Sequence, residues 1–325
     1  MNKTIKLNDL RVGDVVLYPP HEGDWLAQAI ALLTAGTVNH AAVYYGVKDG
    51  KHSVAESVLV GMGINPLPET IEERYALQIM RHKTQTNLQP VIECAIRYIN
   101  ENNPYPYVNL GILALLLISK NFTKDTLKSK ILYNIALLVC IKLMKTLQSL
   151  RSGQHPMSCS QFTAQCFTDA GCDYDLKFDK LIVQLDKLLA KKSQNSQMSL
   201  FDMIEMEEAQ NDLLSDVFDI DLDQEEECVA NEDQIAAEFL QMLQSEVPEQ
   251  NSVGFKALNA SNKPISPVIR KIIFMLFNII TGKVTDNIVE AIDGIKMSTN
   301  RNFLVTPEDI NINCNNLDHI GYLSY

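Results

Sequence analysis

Between Ser193 and Phe255 the 325-residue chain has no Lys or Arg at all, yet 17 of its 40 acidic residues lie there. That stretch alone sets the formal net charge of −12, because elsewhere 28 Lys and Arg face the remaining 23 Asp and Glu. A net charge of −12 argues against a general nucleic-acid binder, which needs a basic footprint to meet phosphates. The acidic run reads as a local feature of an insert and not as evidence about the substrate, and covering the cleft and docking a protein partner are both open to it. Gly and Pro are modest at 14 and 12, and the chain is 46% hydrophobic and 21% charged. This excludes collagen-like and wholly disordered chains and leaves enough apolar surface for a sizeable core.

Paired cysteine motifs are also missing. The seven cysteines (Cys94, Cys140, Cys159, Cys166, Cys172, Cys228 and Cys314) are odd in number, scattered, and contain no CxxC. A disulfide framework and a zinc site are both disfavoured, and no cofactor motif stands out. No apolar run reaches the roughly 20 residues needed to span a bilayer. Leu110–Ser119 is short, Ile131–Met144 is interrupted by Asn134 and Lys142, and Val268–Ile280 carries Arg270 and Lys271. Buried helices are the favoured reading of all three, with membrane-surface contact the lesser alternative. Met1–Gly13 has lysines but no apolar stretch behind them, so a reducing, cytoplasmic location is expected. A signal-less export route would leave no mark.

What remains organises readily. Gly13-Asp14 makes a turn before Val15-Val16-Leu17-Tyr18, a β-prone run stopped by Pro19-Pro20. Asp24–Leu33 reads as a helix with Asp24 as its cap. His40–Val47 is strongly β-prone, Asp49-Gly50 is a hairpin turn, and Ser53–Val60 is the return strand. Gln89–Asn100 is helical in pattern, and apolar helices follow at about 108–119 and 126–150. Ser158–Ala170 reads as a helix between Pro156 and Gly171. A polar, acidic segment then spans 176–262, and residues 263–325 regain apolar character. The expected organisation is a core over 1–175 with an apolar insert at about 108–150, an acidic insert over 176–262, and a C-terminal segment that returns to the core. Asp219-Ile220-Asp221-Leu222-Asp223 invites a calcium-loop reading, but Gln224 and Ala230 stand where such a loop needs Gly and Glu.

One set of residues carries chemistry. Cys159 stands at an expected helix start, where backbone N–H groups favour negative charge and a thiolate. Cys166 lies two turns further on, where that field has decayed, and reads as an ordinary core thiol. A working thiolate needs an imidazole to hold its proton. Of the six histidines, His40 opens the strongest strand, whereas His52 sits at the hairpin turn, His21 in a Pro-rich loop, and His82, His155 and His319 in polar segments. Glu56 on the return strand can reach His40 and fix its tautomer. From residue types alone a plainer reading stays open: a buried helix cysteine, an edge histidine and a solvent-facing glutamate.

A resemblance bears on that choice. The runs Leu10-Arg11-Val12-Gly13-Asp14-Val15-Val16-Leu17, Asn39-His40-Ala41-Ala42-Val43-Tyr44-Tyr45-Gly46 and Val54-Ala55-Glu56-Ser57 come first. Val60-Gly61-Met62-Gly63-Ile64, Cys159-Ser160-Gln161-Phe162 and Val305-Thr306-Pro307-Glu308-Asp309-Ile310 follow. In this order the sequence resembles the circularly permuted NlpC-like cysteine peptidases, the YiiX-like branch of the papain-fold superfamily. The resemblance covers roughly residues 8–110, 155–172 and 300–323. It implies an α+β, permuted papain-like fold, with an antiparallel sheet packed against the nucleophile-bearing helix and large helical inserts.

It also implies roles. Cys159 attacks a carbonyl, His40 protonates the leaving group and Glu56 orients His40. The Cys159 N–H supplies part of an oxyanion hole, and Tyr18 is a candidate second donor whose other reading is packing. The activity expected first is hydrolysis of an amide, in a peptide or a cell-wall-type crosslink. A thiol acyltransferase or acyl-ester hydrolase with the same residues, as in the lecithin–retinol acyltransferase relatives, is the alternative. A silent binding module that uses the acidic insert is the third reading.

Overall fold

The computed structural model describes residues 3–21, 27, 28, 31, 34, 36–58, 61–70, 76–101, 157–182 and 301–324, with scattered positions between 274 and 295. Two compact units divide the chain: 1–109 with 150–183 and 301–325, and 110–149 with 184–300. The expected apolar helices at 108–119 and 126–150, the Asp24 cap and nearly all of the acidic stretch lie outside the described residues. In the second unit, Phe277 is buried and lies where a side chain on Gly294 would have to go.

The first unit is a mixed α+β structure built on a seven-stranded sheet. Its strands are β1 (Thr4–Lys6), β2 (Val15–Tyr18), β3 (His40–Lys48), β4 (Lys51–Val58), β5 (Gly61–Pro66), β6 (Gln78–His82) and β7 (Leu317–Ser324). They lie in the order β1-β7-β6-β2-β3-β4-β5. Every pairing is antiparallel except β1 with β7, which is parallel. The sheet is therefore mostly, and not wholly, antiparallel. Among the described residues, α1 (Gln89–Asn100), α2 (Cys159–Asp169) and short helical turns accompany the sheet. Ala27, Gln28 and Ala31, within the expected helix, and Thr34 just past it are helical too. Among the described residues, no helix is long and apolar enough to cross a membrane.

Local sequence explains the β3–β4 hairpin. Asp49 and Gly50 both take positive φ, 50° and 78°, the backbone that a two-residue turn needs to follow strand twist. On the strands the side chains alternate between two apolar layers. Val15, Leu17, Ala41, Val43 and Ala55 join Val91, Ile92 and Ala95 of α1 and Phe162, Ala164, Cys166 and Phe167 of α2. Val16, Ala42, Tyr44, Val54 and Ile79 form the opposite layer with Ile5, Leu67, Leu77 and Leu323. Burial of Phe162 and Phe167 stabilises the helix–sheet contact by about 2 kcal/mol each.

The Gly-Asp pair before β2 has a packing role. Gly13 adopts φ +88°, and a Cβ there would lie 2.2 Å from Leu88 Cβ. Asp14 is fully buried and takes a forked contact from Arg81, Nε to Oδ1 at 2.7 Å and Nη2 to Oδ2 at 2.6 Å. It ties β2 to β6. Strands β6 and β7 are not anticipated from the sequence, and β6 changes the reading of His82. Its neighbours in sequence are polar, yet it is buried, receives N–H groups of Thr84 and Gln85 at Nδ1, and stacks on Phe167 with ring centres 6.3 Å apart. His52 likewise sits on β4 and pairs with the Tyr44 hydroxyl at 2.5 Å.

Candidate functional site

Cys159 is the first residue of α2. Ser158 caps the helix, with extended backbone and a side-chain oxygen that accepts from Gln161 N at 3.2 Å. Such a cap satisfies one of the N–H groups that a helix start leaves without partners. Three more bonds fix this start in space. Ser57 Oγ donates to Met157 O at 2.6 Å, Ser160 Oγ donates to Val305 O at 2.7 Å, and Phe162 N donates to Ser158 O at 2.7 Å. The first ties α2 to β4, the second to the C-terminal segment.

Residues 305–313 brace the site from two sides. Asp309 Oδ2 accepts from Thr306 N at 3.0 Å and Thr306 Oγ1 at 2.8 Å, closing the Thr-Pro-Glu-Asp turn on itself. Its Oδ1 accepts from Ile182 N at 2.8 Å and Asn313 Nδ2 at 2.9 Å. Glu308 is buried and its Oε2 accepts from Thr37 N at 2.7 Å and Val38 N at 3.2 Å. The same segment thus holds α2 through Ser160 and the lead-in to His40 through Glu308. Gly36 is required here, since a Cβ at that position would lie 2.5 Å from Glu308 Oε2.

The structure brings His40, Glu56 and Cys159 together. His40 opens β3 and Glu56 lies on β4, and alternation along β4 sends Glu56 and Ser57 to opposite faces. Glu56 Oε2 meets His40 Nε2 at 2.7 Å, with the two side chains 11% and 19% exposed. His40 also interacts with the Cys159 thiol at the helix start. Tyr18 pairs with His40 in the β2–β3 register and presents its ring edge-on, centres 5.1 Å apart. Sequence reading missed Asn65 of β5, whose Nδ2 donates to Glu56 Oε1 at 2.9 Å. It also missed the part that Ser57 and Glu308 play.

Electrostatics follow from this packing. Burial opposes a charge on His40, but the Cys159 thiolate and the Glu56 carboxylate outweigh it and lift the imidazole to about 10. Burial likewise opposes ionisation of Cys159, and the His40 imidazolium, with N–H groups of Ala41 and Ser160, brings the thiol below its ordinary value. Each charge of the pair therefore favours the other: the imidazolium favours the thiolate, and the thiolate the imidazolium. The other buried thiols behave oppositely. Burial raises Cys94, pushes Cys166 well up, and takes Cys314 to about 11.

The remaining candidates lie apart. Cys172 is exposed, His319 packs edge-on to Tyr322, and Cys140, Cys228 and His155 fall outside the described residues. Among the described residues, no group of three or more His, Cys, Asp or Glu is arranged to hold a metal ion. In chemical terms the site sets a thiol, an imidazole and a carboxylate side by side. No protein-family model matches the chain, and no curated protein matches it.

Proposed function

We propose that the protein is a thiol-dependent hydrolase of permuted papain-like fold that cleaves an amide bond through an acyl-enzyme on Cys159. The observation that carries this reading is the chain of contacts from Glu56 through His40 to a thiol at a helix start. The order of the residues is not an obstacle, because such a set is defined by geometry and roles.

The chemistry follows from the positions. Cys159 Sγ attacks the substrate carbonyl carbon, and the C=O π electrons move to oxygen. The Cys159 N–H, first in the helix and outside its internal ladder, donates to that oxyanion. As the C–N bond breaks, the His40 imidazolium delivers its proton to the departing amine, leaving a thioester and a neutral ring. His40 then takes a proton from water, whose oxygen attacks the thioester carbonyl. The C–S bond breaks, the acid is released, and the thiolate–imidazolium pair is restored. Glu56 keeps the ring oriented through both transfers. The substrate on this account is a peptide or a cell-wall-type amide crosslink.

The test is acyl trapping with an activated p-nitrophenyl ester. The account requires a burst of nitrophenolate stoichiometric with protein and an acyl mass on the Cys159 peptide, both lost in Cys159→Ala. Added amines report whether water or another nucleophile resolves the acyl-enzyme, which separates hydrolase from acyltransferase. Acylation spread over several cysteines, and unchanged in His40→Ala, would refute the reading.

A further inference from the structure

The carboxylate that holds His40 is itself held from the outer strand. We infer that Asn65 is a positioning residue of this site, a fourth link that locks Glu56 against His40 and thereby sets how firmly the ring keeps its proton. The inference rests on the functional reading given above.

Two observations carry it. The first is the division of labour at the carboxylate: Oε2 goes to His40 Nε2 at 2.7 Å and Oε1 receives Asn65 Nδ2 at 2.9 Å. With one oxygen committed to each neighbour, rotation of the carboxylate breaks both bonds. The second lies in the strand register. Glu56 stands opposite Gly63 and Val54 opposite Asn65, so Glu56 and Asn65 are diagonal neighbours on one face. Diagonal pairs lie farther apart than direct ones, and they meet only when the long side chains have a clear path. Gly63 provides that path. A Cβ at Gly63 would lie 3.7 Å from Asn65 Oδ1 and 3.8 Å from Nδ2, so the Asn65 amide lies over the position where a side chain is missing. Asn65 can serve here because an amide N–H favours a carboxylate without adding a charge of its own.

Among the described residues, the titratable groups that meet His40 are Glu56 from β4, Cys159 from α2 and Tyr18 from β2. The hydrogen bond of Asn65 goes to Glu56, so its influence on His40 is expected to pass through the carboxylate. That makes the proposal separable from a general effect on packing. In a double-mutant cycle, loss of Asn65 matters only while Glu56 is present.

The experiment is an NMR titration of His40 in the full chain, carrying imidazole-labelled histidine. Wild type is compared with Asn65→Ala, Asn65→Leu, Glu56→Gln and the two double variants. Asn65 is half-buried on the outer strand, and the Leu variant keeps its branched shape while Ala only removes atoms, so at least one variant is expected to fold. The expected result is a fall of the His40 midpoint by about one pH unit, roughly tenfold, in both single Asn65 variants. In the Glu56→Gln background the same substitutions leave it unmoved. An unchanged midpoint in the single variants, or an equal fall in both backgrounds, overturns the inference. A wild-type His40 that titrates at its ordinary value would instead overturn the functional reading, and this inference with it.

Discussion

Glu308→Ala tests whether the C-terminal segment holds the site together. One carboxylate oxygen of this buried residue accepts two backbone N–H groups, Thr37 at 2.7 Å and Val38 at 3.2 Å, just ahead of His40. Removing it strands the Val38 donor in a buried position, whereas Thr37 is exposed and its N–H can turn to water. Such a loss costs about 1–3 kcal/mol, and hydrogen bonds to a charged acceptor lie toward the upper end. Water satisfies the Thr37 N–H, so about 2 kcal/mol is the central figure and about 3 kcal/mol the upper. A local reporter suits this chain better than a global melt, because two units need not unfold together. Cys166 is fully buried on the core face of α2, so an alkylating reagent reaches it only when the unit opens. A destabilisation of 2 kcal/mol accelerates labelling of Cys166 about 30-fold, at roughly 1.4 kcal/mol per factor of ten. Glu308→Gln keeps an acceptor oxygen and should accelerate it several-fold less. Labelling of Cys166 in Glu308→Ala within about threefold of wild type would refute the reasoning.

Three further outcomes follow from other contacts. Asp14→Asn breaks the forked pair with Arg81, whose side chain is 19% exposed; with that screening the cost is about 2 kcal/mol, below the 3–5 of a fully buried pair, again read as faster Cys166 labelling. Ser57→Ala leaves Met157 O without its 2.6 Å donor; it should cost about 1 kcal/mol and slow the reaction of Cys159 with iodoacetamide near pH 6 as the helix start drifts from β3. In an NMR titration, His40 should hold its proton through pH 8, whereas burial lowers His82 and His319 and leaves both neutral at pH 7. Since folding raises His40 from 6.5 to about 10, its contribution to stability is complete below pH 6.5 and is lost as pH climbs through 10. A His40 resonance that titrates near 6.5 contradicts this.

Much of the site was legible because its parts are local. The β3–β4 hairpin announces itself through Asp49-Gly50 and two β-prone flanks, and a short hairpin fixes the register that lets Glu56 find His40. Helix α2 announces itself through Ser158, Pro156 and Gly171, which places Cys159 at the start. The seven-stranded sheet was less legible. Strand β6 is only Gln-Ile-Met-Arg-His and β7 alternates weakly, Leu-Asp-His-Ile-Gly-Tyr-Leu-Ser. Both are strands because of the neighbours they pair with, and strand preference is largely set by such context. His82 misled for the same reason: its polar neighbours in sequence say nothing about Phe167 above it. Asn65, Ser57 and Glu308 carry no local signature. Each is an ordinary polar residue until a contact 9, 100 or 270 positions away gives it a task.

The central claim is that Cys159 rests as a thiolate held by His40. The direct measurement is brief alkylation with limiting iodoacetamide near pH 6, followed by peptide mapping over time, in wild type and in His40→Ala. An ordinary thiol, with a pKa of about 8.5, is less than about 1% ionised at that pH. The account predicts fast, single labelling at Cys159 in wild type and its loss in His40→Ala, with exposed Cys172 slow in both. Slow labelling shared among several cysteines, or a Cys159 rate that survives His40→Ala, would contradict it.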